Sequence, residues 1–285
     1  MKIGLGLPNS ATGISAGRTL VEVARRAEEL GFSTLATIGR IAYPNYEELV
    51  TLAAAAGATE RIGLFTDVLL GPAREPVLLA KQAASLDQLS GGRLALGIGV
   101  GGRPDDFAVT GLDFHTRGKR WDASLELIHR AWRGEALPGA DVPVTPVPFH
   151  GSAIPMLFGG GSDQSLRRLL KYGVGYTQGG GTPETLEEAM ERVGSAWREA
   201  GREGSPEYRA LVYFALGDDA QEWGERSLKS YYGGHGDRVW TGAVKDAEEA
   251  AARVAAYRAV GCDEVIFFAA VPKVVQAERL AEAVL

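Results

Sequence analysis

The chain is poor in the residues that staple small or exported proteins together. One cysteine, Cys262, and four histidines stand among 285 residues, which excludes an intrachain disulfide and any zinc cluster built on paired cysteines. Neither sign of charge dominates: 30 basic and 36 acidic side chains leave a formal charge of -6 with no long run of either. The electrostatic footprint that nucleic acid requires is therefore missing. Apolar runs are short too. The most apolar neighbourhood, residues 53–56, lies between Glu48 and Glu60, far short of the ~20 residues of a membrane span. Met1-Lys2 leads straight into Ile3-Gly4-Leu5-Gly6-Leu7-Pro8, broken too early for the apolar core of an export signal. These absences predict a cytoplasmic protein whose partners are small molecules, with no metal, nucleic acid or bilayer among them.

What is present suits a large globular core. Hydrophobic residues make up 45% of the chain and charged residues 23%, enough to fold without staples. Short β-branched and Leu-rich runs alternate with longer segments of helical period, the pattern of repeated βαβ units. Strands are expected at 2–7, 33–37, 61–66, 93–98, 154–158, 174–177, 209–216 and 264–269. Helices are expected at 18–30, 46–56, 76–89, 119–133, 165–172, 183–200, 220–230, 246–260 and 274–284. Eight strands fit either a closed barrel or an open doubly wound sheet. No Gly-x-Gly-x-x-Gly follows the first strand, so an α/β fold of the (β/α)8 TIM-barrel kind is favoured, as one domain over 1–285. The Pro-rich stretch 134–155 reads as an extended connection inside that barrel.

In such a barrel the chemistry sits on the loops that follow the strands. Phe158-Gly159-Gly160-Gly161-Ser162 runs from strand to helix; its glycines and the helix N-terminus suit a phosphate, and a plain capped turn is the alternative. Gln178-Gly179-Gly180-Gly181-Thr182-Pro183 repeats the arrangement one strand later, with Thr182 placed as N-cap. Thr66-Asp67-Val68 ends the third strand, with Asp67 either a general base or a cap for nearby N–H groups. Gly99-Val100-Gly101-Gly102-Arg103 lets a loop pass close to a planar ligand. Arg103 is placed to meet an anion or to pair with Asp105 or Asp106. His115 is a candidate proton carrier, with a surface or cap role as its alternative.

Three stretches carry a family resemblance. They are Ala27-Glu28-Glu29-Leu30-Gly31-Phe32, the run from Val77-Leu78-Leu79-Ala80-Lys81-Gln82 through Asp87-Gln88-Leu89-Ser90-Gly91-Gly92-Arg93 to Gly97-Ile98-Gly99-Val100-Gly101, and Arg117-Gly118-Lys119-Arg120 with the Gly159 turn. On these the chain resembles the luciferase-like flavin-dependent oxidoreductases, nearly end to end. The resemblance implies a luciferase-like barrel binding FMN or the deazaflavin coenzyme F-420 at the strand C-terminal ends, monooxygenase or reductase chemistry on a small organic substrate, and a homodimer. It implies a non-proline cis peptide at Asp67-Val68 against the flavin ring. It also puts the cofactor near Thr66, Val68, Gly99 and Gly101, with its phosphate near Gly159, Gly160, Gly161 and Ser162 and with Gln178, Gly179, Gly180 and Thr182 as neighbours.

Two departures stand out. Many members end the second strand in Asp-His, where this chain has Gly39-Arg40, and many sugar-phosphate dehydrogenases of the family have a Glu near Gly102. Arg40 is then a candidate to polarise the flavin or hold a phosphate, since its guanidinium stays charged. A flavin-binding barrel without turnover is the main alternative reading. An aldolase- or isomerase-like barrel is the third, disfavoured by the lack of a lysine at any strand end.

Overall fold

The computed structural model describes residues 1–13, 17–151 and 153–285. All eight expected strands form: β1 (Lys2–Gly6), β2 (Thr34–Thr37), β3 (Gly63–Leu70), β4 (Leu94–Gly99), β5 (Met156–Phe158), β6 (Gly175–Gln178), β7 (Glu207–Phe214) and β8 (Glu264–Ala269). They pair in parallel, each with the next, and β8 closes on β1. The expected helices appear as α1 (Arg18–Leu30), α2 (Glu48–Ala56), α3 (Pro76–Ser90), α5 (Arg117–Trp132), α6 (Asp163–Tyr172), α7 (Pro183–Glu199), α8 (Asp218–Tyr232), α10 (Ala247–Ala259) and α11 (Val275–Val284). Two short helices, α4 (Pro104–Ala108) and α9 (Gly236–Thr241), were not expected; each is about a turn or two long, too brief to show an apolar period. Stretch 134–155 carries no helix or strand among its described residues. It lies along α3, held by Lys81 and Gln88 donating to the carbonyls of Thr145 and Val147 and by Asp87 accepting from Phe149 N–H.

One boundary matters for function. β3 continues through Asp67 and Val68 to Leu70, with its pairing to β4 shifting between Thr66 and Leu69. The expectation that Asp67 lies beyond the strand is corrected: it is a barrel residue. Ladder pairing carries β3 past the point where the β-branched pattern breaks.

Strand alternation divides the apolar residues into two zones. Leu5, Leu35, Leu64, Leu96 and Val212 face the surrounding helices. Ala36, Phe65, Leu157, Leu211, Ile266 and Phe268 fill the barrel. The interior is crowded unevenly, and glycines make room for rings. A Cβ at Gly6 would stand 2.2 Å from the Phe268 ring, and one at Gly97 would meet Thr66 O at 2.1 Å and the Phe65 ring at 2.6 Å. Gly6→Ala is therefore expected to cost about 1–3 kcal/mol by overpacking, read as a lowered urea midpoint, and Phe268→Leu in the same chain should recover much of that loss.

The N-terminal face is closed by polar clips. Glu28 at the end of α1 accepts the N–H groups of Glu60, Arg61 and Ile62. Arg93, just before β4, donates to the carbonyls of Ala56, Thr59, Ile62 and Ser90, so one guanidinium answers the orphan acceptors at the end of α2.

Candidate active site

At the opposite face a cleft opens among the strand C-terminal ends, lined by Gly39, Arg40, Asp67, Val68, Arg103, Tyr231 and Tyr232, with Ile38, Leu70, Gly102, Asp106 and Gly179 around them. Its floor belongs to β3. Phe65 and Asp67 are alternate residues of the strand, so the Asp67 carboxyl follows the Phe65 ring to the inside, where it is 1% exposed. Thr177 of β6 donates to its Oδ1 at 2.8 Å, while Oδ2 is buried with no partner. Burial pushes the Asp67 pKa up to about 7, against the opposing pull of the Thr177 hydrogen bond and the Arg209 charge, with Glu264 adding to the rise. A carboxyl so placed holds or releases a proton near neutrality.

The Asp67-Val68 peptide is cis, as the family resemblance implies. Val68 is partly exposed in the cleft. A Cβ at Gly99 would lie 2.7 Å from Val68 Cγ2, and one at Gly159 would lie 3.6 Å from Cγ1. The valine thus occupies space that the ends of β4 and β5 leave free, and makes an apolar ledge in the cleft, whose lining Asp67 shares.

Beside this ledge is the turn into α6. Gly160 has φ +97°, and Ser162 accepts from Ser165 N–H at 3.1 Å as N-cap. The Ser165 hydroxyl holds the Gly159 carbonyl at 2.6 Å. The N–H groups of Gly160, Gly161 and Ser162 donate to no acceptor among the described residues. Asp163, the one acid in the first turn of α6, is neutralised by Arg192 of α7 at 2.7 Å. Free N–H groups at a helix N-terminus with the local acid paired off suit a phosphate.

Other sequence candidates are placed differently. Thr66 is fully buried and donates to Gly97 O at 2.9 Å. Gln178 is buried, donates to Thr185 and accepts from Tyr257, while Thr182 forms a reciprocal capping box with Thr185 at the start of α7. Both side chains serve the fold; of that turn only Gly179 lines the cleft, and Gly180 and Gly181 are exposed beside it. The Gly101 carbonyl is held by Arg117 at 2.9 Å. His115 is exposed, packs its ring edge-on against Phe114 and does not line the cleft, because the connection into α5 carries it outward. Arg40 does line the cleft, with its guanidinium paired to Asp105 and Asp106 and donating to the Tyr231 carbonyl, while its buried Nε has no hydrogen-bond partner.

Sequence reasoning missed the tyrosines. Tyr231 and Tyr232 end α8, Tyr231 donates to Gly39 O at 3.2 Å, and the hydroxyls of Tyr232 and Tyr213 meet at 2.9 Å. Burial holds all three phenols above their ordinary range, so they are neutral hydrogen-bonding groups at working pH. An aromatic pair before Gly233-Gly234 was the available signal, but nothing local tells that this helix end reaches the barrel mouth.

Gly39, where the family resemblance implies Asp in many members, also finds its reason. A Cβ there would lie 1.7 Å from Oε1 of Glu48, a buried α2 carboxylate paired with Arg74 at 2.9 Å. The acid enters from the helix, and a strand side chain has no room. Gly39→Ala should destabilise the protein by about 1–3 kcal/mol, measured by chemical denaturation, and Gly39→Asp by more, because two carboxylates would compete for one space.

A family model described as luciferase-like monooxygenase matches residues 1–265. The chain belongs to this family. An uncharacterised protein from Mycobacterium tuberculosis is 34% identical over 209 residues, covering 64% of this chain and 72% of the relative. Among solved structures, an F420-dependent secondary alcohol dehydrogenase in complex with an F420-acetone adduct superposes with TM-score 0.81 at 18% identity, over 99% of this chain and 98% of that one. The oxygenating constituent of a type II Baeyer-Villiger monooxygenase from Pseudomonas putida, in complex with FMN, gives TM-score 0.72 at 16% identity, over 100% and 99%. At these identities the structural likeness shows the luciferase-like barrel fold. Among the described residues no group of three His, Cys, Asp or Glu side chains is arranged to hold a metal, and no helix is long and apolar enough to cross a membrane.

Proposed function

We propose that this luciferase-like chain is an oxidoreductase that uses FMN or the deazaflavin F-420 on a small organic substrate, folded as one domain and working in the cytoplasm as a homodimer. The observation that carries the reading is a cleft lined by the Val68 ledge and by Asp67, whose Oδ2 has no partner, next to a helix turn whose N–H groups have no acceptor among the described residues. The residues present fit such a cofactor: Gly159, Gly160, Gly161 and Ser162 would hold its phosphate, and Val68 would support one face of its ring. The bound ring would supply hydride or oxygen transfer. Asp67 would hold or move a proton at Oδ2, while Tyr232, whose hydroxyl meets that of the buried Tyr213, offers a neutral phenol at the cleft wall. The Arg40 contacts to Asp105, Asp106 and the Tyr231 carbonyl fix that wall.

A barrel that binds the cofactor without turning over is the second reading, favoured by the missing Asp-His pair at Gly39-Arg40. The family match displaces the aldolase or isomerase reading, and no lysine lines the cleft. Fluorescence titration of the purified protein with FMN and with F-420, each oxidised and reduced, tests the proposal. Micromolar binding of one of them supports it and selects the cofactor, and no binding of either refutes it. Turnover in a substrate screen separates enzyme from binding barrel, and sedimentation tests the dimer.

A further inference from the structure

The cleft contains two arginines in different electrostatic states. Arg40 is committed to Asp105 and Asp106, and Asp106 is further committed to the N–H groups of Ile41 and Ala42, each at 2.8 Å. These two acids are the neighbours that Arg103 would otherwise use. Arg103 forms no ion pair and no side-chain hydrogen bond among the described residues; its guanidinium lies over the ring of Tyr231 at 4.7 Å and of Tyr232 at 5.3 Å. The two rings fix the plane of the cation without neutralising it. A planar fork held on aromatic faces leaves its edge N–H groups to a planar, two-oxygen acceptor, the geometry of a carboxylate.

We infer that Arg103, braced on Tyr231 and Tyr232, binds a carboxylate of the substrate, so that the enzyme acts on an organic acid. The inference names the substrate class within the proposed flavin site and so rests on that reading. Arg40 keeps Asp105 and Asp106 from quenching the Arg103 charge. The cofactor phosphate has its own place at the α6 turn, which leaves Arg103 to the other partner. A carboxylate reaches the cleft from one of two sources, the substrate or the glutamate tail of F-420; FMN carries none.

The test measures binding of benzoate and of its neutral analogue benzamide by calorimetry, to the cofactor-free protein and to the FMN-loaded protein, for wild type, Arg103→Met and Arg103→Lys. Benzoate should bind wild type at least ~10-fold more tightly than benzamide, and Arg103→Met should weaken benzoate roughly 10- to 100-fold while leaving benzamide unchanged. Arg103→Lys, a charge without the fork, should fall between, which separates recognition from a folding defect. Equal binding of the two probes to wild type, or unchanged benzoate binding in Arg103→Met, overturns the inference. So does an Arg103→Met protein that loses F-420 affinity but keeps FMN and benzoate, since the carboxylate would then belong to the coenzyme. If wild type binds neither FMN nor F-420, the proposed function falls, and the probe pair on the cofactor-free protein still decides the role of Arg103.

Discussion

Asp67→Asn is expected to leave a folded barrel whose turnover drops by roughly 10²- to 10⁴-fold, the usual loss when a positioned acid or base is removed, with the pH dependence around neutrality abolished. The wild-type carboxyl, its pKa pushed up to about 7 by burial, changes state in the range where the variant does not titrate. Stability supplies an independent readout of the same group. An Asp whose pKa rises on folding binds its proton more tightly in the native state, so its contribution is fully present below about pH 4 and is lost as pH rises to about 7. Asparagine keeps the shape and can accept from Thr177 without carrying charge. Its advantage over wild type should therefore grow between pH 4 and 7 and level off above, with an upper bound of about 4 kcal/mol at ~1.4 kcal/mol per pH unit. Melting temperatures at pH 5 and pH 8 check this: a constant difference between the two proteins would mean that Asp67 does not titrate there.

Gly160→Asp is the second large effect. Gly160 sits at φ +97° with only Ser165 atoms near its missing Cβ, at 3.6 Å and beyond, so the cost to the fold is the backbone conformation more than a collision. The added carboxylate would face the free N–H groups of the α6 turn and repel a phosphate. Affinity for FMN should fall at least ~100-fold. Riboflavin, which has the same ring and no phosphate, should lose little, and Gly160→Ala should show the conformational part alone. Equal losses of FMN and riboflavin would place the phosphate elsewhere.

Most of the architecture was legible because the apolar pattern of a βα repeat is local: eight strands and nine helices follow from alternation and punctuation by glycines such as Gly31 and Gly261. The site was legible only in part. The turns at Gly159 and Gly179 stand where strand ends predict them, and Asp67 is singled out from the sequence but lies inside β3. That Asp67 points inward from within β3 depends on pairing with β4, which is not a local signal. Thr182 caps α7 and Gln178 buttresses Thr185, because a helix N-terminus satisfies itself from nearby polar side chains. Tyr231 and Tyr232 reach the mouth from a helix end far in sequence from β3, so only closure of the barrel brings them to the cleft. The pairing of Arg40 with Asp105 and Asp106, which leaves Arg103 unpaired, is likewise a choice made in three dimensions.

The clips made by Glu28 and Arg93 gather helix ends and strand beginnings on the face farthest from the cleft. Their acceptors and donors are main-chain atoms and the Thr59 hydroxyl, indifferent to which side chains line the mouth. Foldedness is thus secured at one pole and selectivity written at the other. A lineage built on this plan is free to exchange Arg103, Tyr232 or whole mouth loops and change its diet, while its melting temperature stays with the residues at the base.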